Sequence, residues 1–319
     1  MPEWRALATR EDALPFFYPE WHAIWLRHFG GDAAPVWLAF RDPERDGALV
    51  AVAALDMVAG GARELGDHNL RDHAGPLVAA GWERAVAPVL LEWLQEDDTP
   101  RLELWGLEAN GAFATAMMEA AAYWGWVATT AAEAVCPAAQ LPSSYEAYVA
   151  SLPKHDRHEL RRKARKLAEG RTVRFTMTGV PAEVTAGIPR LLAQMRASRP
   201  DKDAFLTDEM AAFFADMAAV FAELGLARFA SLWVDDVETA TLLCFETRST
   251  LALYNSGFLP EWQPLSVGLL SKARALEWAI EAGKSTFAFL RGEEEYKRHL
   301  GGVARELVGL RVSSGGAGD

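Results

Sequence analysis

LARFASLWV (226–234), ETATLLCFET (238–247) and TLALYNSGF (250–258) decide the fold, because three runs rich in β-branched and aromatic residues follow one another at hairpin distances, the first two parted at Asp235-Asp236. Three antiparallel strands are expected. Downstream come a loop, LPEWQPLSVG (259–268), and a helix from about 267 to 282 that turns Leu269, Ala273, Leu276 and Ile280 inward. A strand (STFAFL, 285–290), a short helix (RGEEEYKRHL, 291–300) and a last strand (ARELVGLRV, 304–312) complete that side. Upstream, Met210, Phe213, Phe214, Met217, Val220 and Phe221 form the stripe of one helix, and Val184, Ile188, Leu191 and Met195 that of another. VRFTMT (173–178) is a short strand before them. The order is strand, two helices, three antiparallel strands, helix, strand, helix, strand.

Further back lies a helical arm, SYEAYVASL followed by HDRHELRRKARKLAE (155–169), with Leu160, Ala164 and Leu167 at helical spacing and basic side chains over the rest. Glu159 and Lys163 have the spacing of an i,i+4 pair. CPAAQLPSS (136–144) has the prolines and serines of a linker, so the domains are expected at 1–140 and 141–319. In the first, VWLAF (36–40) and ALVAVAAL (48–55) flank the turn-rich RDPERDG as a hairpin. A helix over 82–96, a strand at RLELWGL, a helix at AFATAMMEAAAYWG and a strand at WVATTA follow. Asp67, His68, Asn69, Asp72 and His73 fall in a polar loop. The two halves differ in composition, since nine of the twelve tryptophans precede residue 127.

A chain of 319 residues, half of them apolar and 24% charged, is an ordinary globular length for two domains and excludes general disorder. The tail SSGGAGD is expected to fray. The net charge of −12 argues against a general binder of nucleic acid or membrane surfaces. It hides one exception: residues 154–174 carry nine Lys or Arg and three Asp or Glu, a local +6 that leaves −18 on the remainder. Cys136 and Cys244 match no metal or redox spacing, and the start MPEWRALATRED has no signal-peptide core, so a reduced cytoplasmic protein is expected. Asp67-His68 and Asp72-His73 match no zinc signature, and the other histidines are scattered, so no metal is expected.

The chemistry centres on Gln263-Pro264-Leu265-Ser266-Val267-Gly268, between the third hairpin strand and the next helix. Small residues there let backbone N–H groups at a helix N-terminus approach a pyrophosphate, where open donors and the helix dipole both favour an anion. Ser266 would also serve as an ordinary N-cap. Element order and loop together resemble the GNAT acyltransferases, whose Gln/Arg-x-x-Gly-x-Gly/Ala loop has Ser266 in place of its first glycine here. More widely the chain resembles the GNAT-like acyltransferases of cellulose and exopolysaccharide biosynthesis, the CelD-like group, which are similar to the Fem aminoacyl transferases in being two GNAT domains in tandem. The matching residues are Ser151-Leu152-Pro153 with the basic helix, Tyr254 to Phe258, Gln263 to Gly268, and Leu290 to Lys297. The first 130 residues match more loosely.

The resemblance implies an α+β class: two tandem GNAT domains with mixed, mostly antiparallel sheets. It also implies acetyl-CoA or another acyl-CoA as co-substrate, with Gln263, Ser266, Val267, Gly268 and Lys297 on the cofactor. Tyr296 would be the acid that protonates the departing thiolate, a role suited to a phenol. Glu246 is a candidate base for an amine acceptor, His73 beside Asp72 for a hydroxyl; Glu293, Glu294 and Glu295 more simply complement a helix dipole. Arg291, Asp72 and Trp262 are candidate acceptor contacts. The expected reaction moves an acyl group, acetyl first, from CoA to an amine or hydroxyl of a small molecule, sugar or cell-envelope precursor. A Fem-like transfer from aminoacyl-tRNA and a GNAT-derived module without turnover are the alternatives.

Overall fold

A computed structural model of the chain describes residues 1–198 and 200–314. Two compact units divide it: one is Met1–Cys136 joined by the segment that begins at Arg305, the other is Pro137–Ala304. In chain order the first unit holds α1 (Pro2–Arg10), α2 (Pro19–Phe29), β1 (Pro35–Asp42), β2 (Ala48–Val58), β3 (Gly61–Glu64), β4 (Leu77–Val78), α3 (Glu83–Glu96), β5 (Arg101–Glu108), α4 (Ala112–Trp124) and β6 (Trp126–Val135). The second begins with β7 (Ala138–Gln140), α5 (Tyr145–Ser151), α6 (Lys154–Ala168), β8 (Val173–Thr178), α7 (Pro181–Ser198), α8 (Pro200–Phe205) and α9 (Asp208–Glu223). It continues with β9 (Ala227–Val234), β10 (Val237–Glu246), β11 (Thr250–Phe258), a 3-10 turn over Pro260–Leu265, α10 (Val267–Glu281), β12 (Thr286–Ala288) and α11 (Glu295–His299). The chain then closes with β13 (Glu306–Ser314).

Each unit is built on a mixed sheet, so the expected α+β class is the observed one. The first sheet runs β1-β2-β3-β5-β13-β6 with β4 on β2, and the second β7-β12-β11-β10-β9-β8. The only parallel pairs among the described strands are β3 with β5 and β11 with β12. In the first unit Leu90, Leu91 and Leu94 of α3 and Met117 of α4 pack on Leu55, Leu102, Leu104 and Leu310 of the sheet. In the second, Val267, Ala273, Leu276 and Ile280 of α10 and Leu160 of α6 pack on Leu232, Leu242 and Phe287. Phe214 of α9 and Phe245 of β10 meet the ring of Tyr254.

The expected stripes are buried, with Val184, Ile188, Leu191 and Met195 inward on α7 and Phe213, Phe214, Met217 and Phe221 inward on α9. Two differences concern domain limits. The stretch read as a linker contains β7, whose Ala138, Ala139 and Gln140 pair with Ala288, Phe287 and Thr286. The last strand, expected with the second domain, lies between β5 and β6 of the first, because Val308, Leu310 and Val312 complete the core there. Ser313 and Ser314 of the expected frayed tail end β13; residues 315–319 lie outside the described residues. Cys136 and Cys244 are buried, and burial pushes the Cys244 thiol up to about 12. Among the described residues no helix is long and apolar enough to cross a membrane, and no group of three or more His, Cys, Asp or Glu is placed to hold a metal ion.

Candidate functional site

The site of the second unit starts from a strand pair that parts. β11 and β12 are in parallel register only from Thr250 to Ala252, opposite Thr286 to Ala288. On its other side β11 stays paired with β10 as far as Phe258, but the register slips so that Tyr254 is an extra residue between Leu253 and Asn255. A bulge of this kind bends the strand that carries it. From Leu253 onward β11 has no described ladder partner on its β12 side.

The N-terminus of α10 follows β11 through the 3-10 turn. Ser266 takes a left-handed backbone, φ 58° and ψ 34°, as N-cap of α10, and its side chain makes no capping hydrogen bond. Its N–H donates to the Gln263 carbonyl, and its own carbonyl accepts from the N–H groups of Leu269 and Leu270. The N–H groups of Val267 and Gly268 have no acceptor among the described residues. They are unpaired donors at the positive end of a fifteen-residue helix, Val267 fully buried and Gly268 partly exposed. A Cβ on Gly268 would stand 3.0 Å from the Phe258 ring, a tight contact that a larger residue makes only if the ring shifts.

The basic arm is fastened beside this loop. Lys166 Nζ donates to the Pro264 carbonyl at 3.0 Å, and at the other end of α6 Asp156 meets Nδ1 of His299 on α11 at 2.6 Å. Glu159 pairs with Arg162, at 2.9 Å, rather than with Lys163. Arg161, Lys163 and Arg165 make no ion pair among the described residues, so part of the local positive charge is uncompensated next to the open donors.

Tyr296 is half-buried on α11, edge-on to Phe289 with ring centroids 6.3 Å apart. Lys272 of α10 joins it to the loop: Nζ lies 4.9 Å from the Tyr296 ring centroid and donates to the Gly268 carbonyl at 2.8 Å. Only 6% exposed, Lys272 has its ammonium pushed down to about 7, first by burial and then by the nearby charge of Lys202, with Glu294 opposing. The sequence reading passed over this residue. The signal for it was a lysine on the apolar stripe, three residues after Leu269 and four before Leu276.

Lys297, expected on an anionic cofactor, is 2% exposed, and its three ammonium donors go to the carbonyls of Leu290 and Arg291, at 3.0 and 2.6 Å, and to the Glu294 carboxylate, at 2.9 Å. It closes a loop in which Leu290 has φ 57° and Gly292 φ 119°. Glu246, expected as a base, is clamped by Arg228 at 2.5 Å and Lys284 at 2.6 Å, so both carboxylate oxygens are held by cations. Trp262 packs on the core of the second unit, Gln263 is exposed, and Arg291 is partly buried beside the Lys297 loop. Asp72 and His73 belong to the first unit, in the loop between β3 and β4, where the His73 carbonyl accepts from Arg71 Nε. The histidine ion pair formed in that loop is His68 with Glu133.

These residues suit an anionic, pyrophosphate-bearing group: two unpaired N–H donors at a helix start, a glycine packed close on the strand behind it, and a flanking cationic helix. A model of the acetyltransferase (GNAT) domain matches residues 154–298. That stretch, within the second unit, is similar to a GNAT domain. Over the whole chain the structure is similar to that of FemX, at 11% identity, with 96% of this chain and 95% of that one covered and a TM-score of 0.68. It is also similar to a conserved protein of unknown function from Bacteroides thetaiotaomicron VPI-5482, at 9% identity, with 97% and 92% covered and a TM-score of 0.61. No curated protein matches the sequence. The GNAT match spans α6 to α11, the elements that carry the parted strands, the open N-terminus of α10 and Tyr296.

Proposed function

We propose that the second unit is an acyltransferase that moves an acyl group, acetyl in the first instance, from CoA to an amine or hydroxyl of a small molecule, sugar or cell-envelope precursor. The observation that carries this is the pair of unpaired N–H donors of Val267 and Gly268 at the start of α10, beyond the end of the β11–β12 ladder. The N–H pair holds the pyrophosphate, and the free cations of α6 draw the phosphates toward it. When bound, the thioester supplies an activated carbonyl. Tyr296 donates a proton to the departing sulfur. Lys272, whose ammonium is poised near neutrality, takes the acceptor's proton in place of the ion-paired Glu246.

Thermal unfolding with acetyl-CoA, CoA and longer acyl-CoAs tests donor binding: a ligand at a hundred times its dissociation constant stabilises by about 2.7 kcal/mol. No shift with any of them removes this reading. Tyr296→Phe should lower turnover by about 10² while keeping the acetyl-CoA shift.

The fastening of the basic arm to the loop through Lys166 favours one second reading, a Fem-like transfer from aminoacyl-tRNA. It requires tRNA binding that weakens steeply with salt.

A further inference from the structure

The first unit holds a polar cavity that the acyl-transfer reading does not use. Its volume is about 240 Å³, and it lies over β5, β13 and β6. Leu102, Leu104, Leu310 and Val312 of β5 and β13 belong to the core under α3 and α4, so the alternate residues of these strands face the other way. Gly309 and Ala131, opposite each other in register, form a low floor.

At one end stands a histidine held in one orientation. His68 Nδ1 is 2.7 Å from Glu133 Oε1, and Glu133 Oε2 accepts the Gly106 N–H at 2.8 Å. The imidazole stacks on Trp105, with centroids 4.2 Å apart and planes at 24°. A carboxylate only accepts, so in the neutral ring Nδ1 carries the hydrogen and Nε2 keeps its lone pair. Nε2 has no partner among the described residues. At the other end Arg311 spends Nε on Glu103, at 3.0 Å, and keeps both terminal NH2 groups open, on a side chain 67% exposed. Thr129, opposite Arg311 in register, has a hydroxyl with no hydrogen bond among the described residues. Arg101 stands 3.6 Å from Glu103 and completes the charged groups of this end.

We propose that this cavity is a binding site for a small molecule with a phosphate or carboxylate at one end and a hydroxyl or amine at the other. Arg311 and Thr129 hold the anion, and Nε2 of His68, fixed by Glu133 and Trp105, accepts the hydrogen of the hydroxyl or amine. Along β5 the two ends, at Trp105 and Glu103, are two residues or about 7 Å apart, and along β6, at Glu133 and Thr129, four residues or about 13 Å, so the two groups are separated by roughly 7–13 Å. A phosphorylated or carboxylated monosaccharide reaches the lower part of this span.

The test follows the imidazole resonances of the full-length protein by NMR, with the His68 signals assigned by their loss in His68→Asn. The probes are glucosamine 6-phosphate, glucosaminate and glucosamine, which separate phosphate, carboxylate and no anion. At least one of the two anionic probes should shift the His68 signals at millimolar concentration, with glucosamine weaker. Arg311→Gln, at an exposed position that leaves the core intact, should weaken that binding about tenfold. The proposal is overturned by unmoved His68 signals with both anionic probes, or by affinity unchanged in Arg311→Gln. No thioester enters the assay, so its failure leaves the acyl-transfer reading standing, and the reverse holds too.

Discussion

Ser266 occupies a backbone region that costs an L-residue about 1–2 kcal/mol and glycine almost nothing. Because its hydroxyl caps nothing, Ser266→Gly gives up no hydrogen bond there. Against the extra freedom of glycine in the unfolded chain, about 0.5–1 kcal/mol, a net gain of roughly 0.5 kcal/mol is expected. Urea unfolding measures it, and a clear loss of stability would mean that the serine side chain holds the turn. Lys272 gives a prediction with a pH signature. Its native ammonium titrates near 7, well below the ordinary lysine range, so between pH 7 and 10 the unfolded chain binds one more proton than the native one. Stability from this group therefore rises with pH across that window and is flat below it. Lys272→Met has no such dependence. The variant should be favoured relative to wild type at pH 6, and the difference should move toward wild type by on the order of 2 kcal/mol between pH 7 and pH 9. Urea unfolding at three pH values reads this directly; a gap that stays constant would show that burial does not disfavour the ammonium.

At the scale of elements, order was legible in the sequence because the stripes of α7, α9 and α10 and the runs of β9, β10 and β11 each follow one clear period. β3, β4 and β7 were not, since strands of four, two and three residues are too short to show one. The loop at Gln263 to Gly268 could be placed from sequence, because its small residues are local to a helix start. The partners of Glu246 and Lys297 could not. Arg228 and Lys284 reach Glu246 from other elements, and Lys297 looks like a surface cation beside Arg298 until the 290–294 loop folds over it. That loop is an element-scale device: one ammonium holds two carbonyls and a carboxylate and fixes the left-handed Leu290 and Gly292 ahead of α11. Lys297→Met leaves buried acceptors without their donor, at a cost of about 2–4 kcal/mol. It should also lower turnover by shifting Tyr296, while the CoA-induced stabilisation, which depends on α10, persists. Equal stability of variant and wild type would assign the loop's shape to its backbone alone.

For the whole molecule, the consequential feature is the return of the chain from the second unit to the first. β13 stands between β5 and β6, and β6 has no other ladder among the described strands. Truncation after Ala304 removes the buried Leu307, Val308, Leu310 and Val312 together with the strand that holds β6. At about 1.5–3 kcal/mol for each side chain, the loss reaches the whole stability of a typical domain, roughly 5–15 kcal/mol. The first unit should then fail to fold, whereas the second is continuous from Pro137 to Ala304 and should fold alone. The uneven tryptophan content makes the outcome easy to read, since nine of the twelve lie in the first unit. In the 1–304 chain, tryptophan emission should be that of exposed indoles, and limited proteolysis should leave a resistant fragment beginning near residue 137. A protected first unit in that chain would mean that β5 and β6 close the sheet without β13. The expected failure would instead show that the second unit, inserted in sequence before β13, must be synthesised before the first unit can complete its sheet.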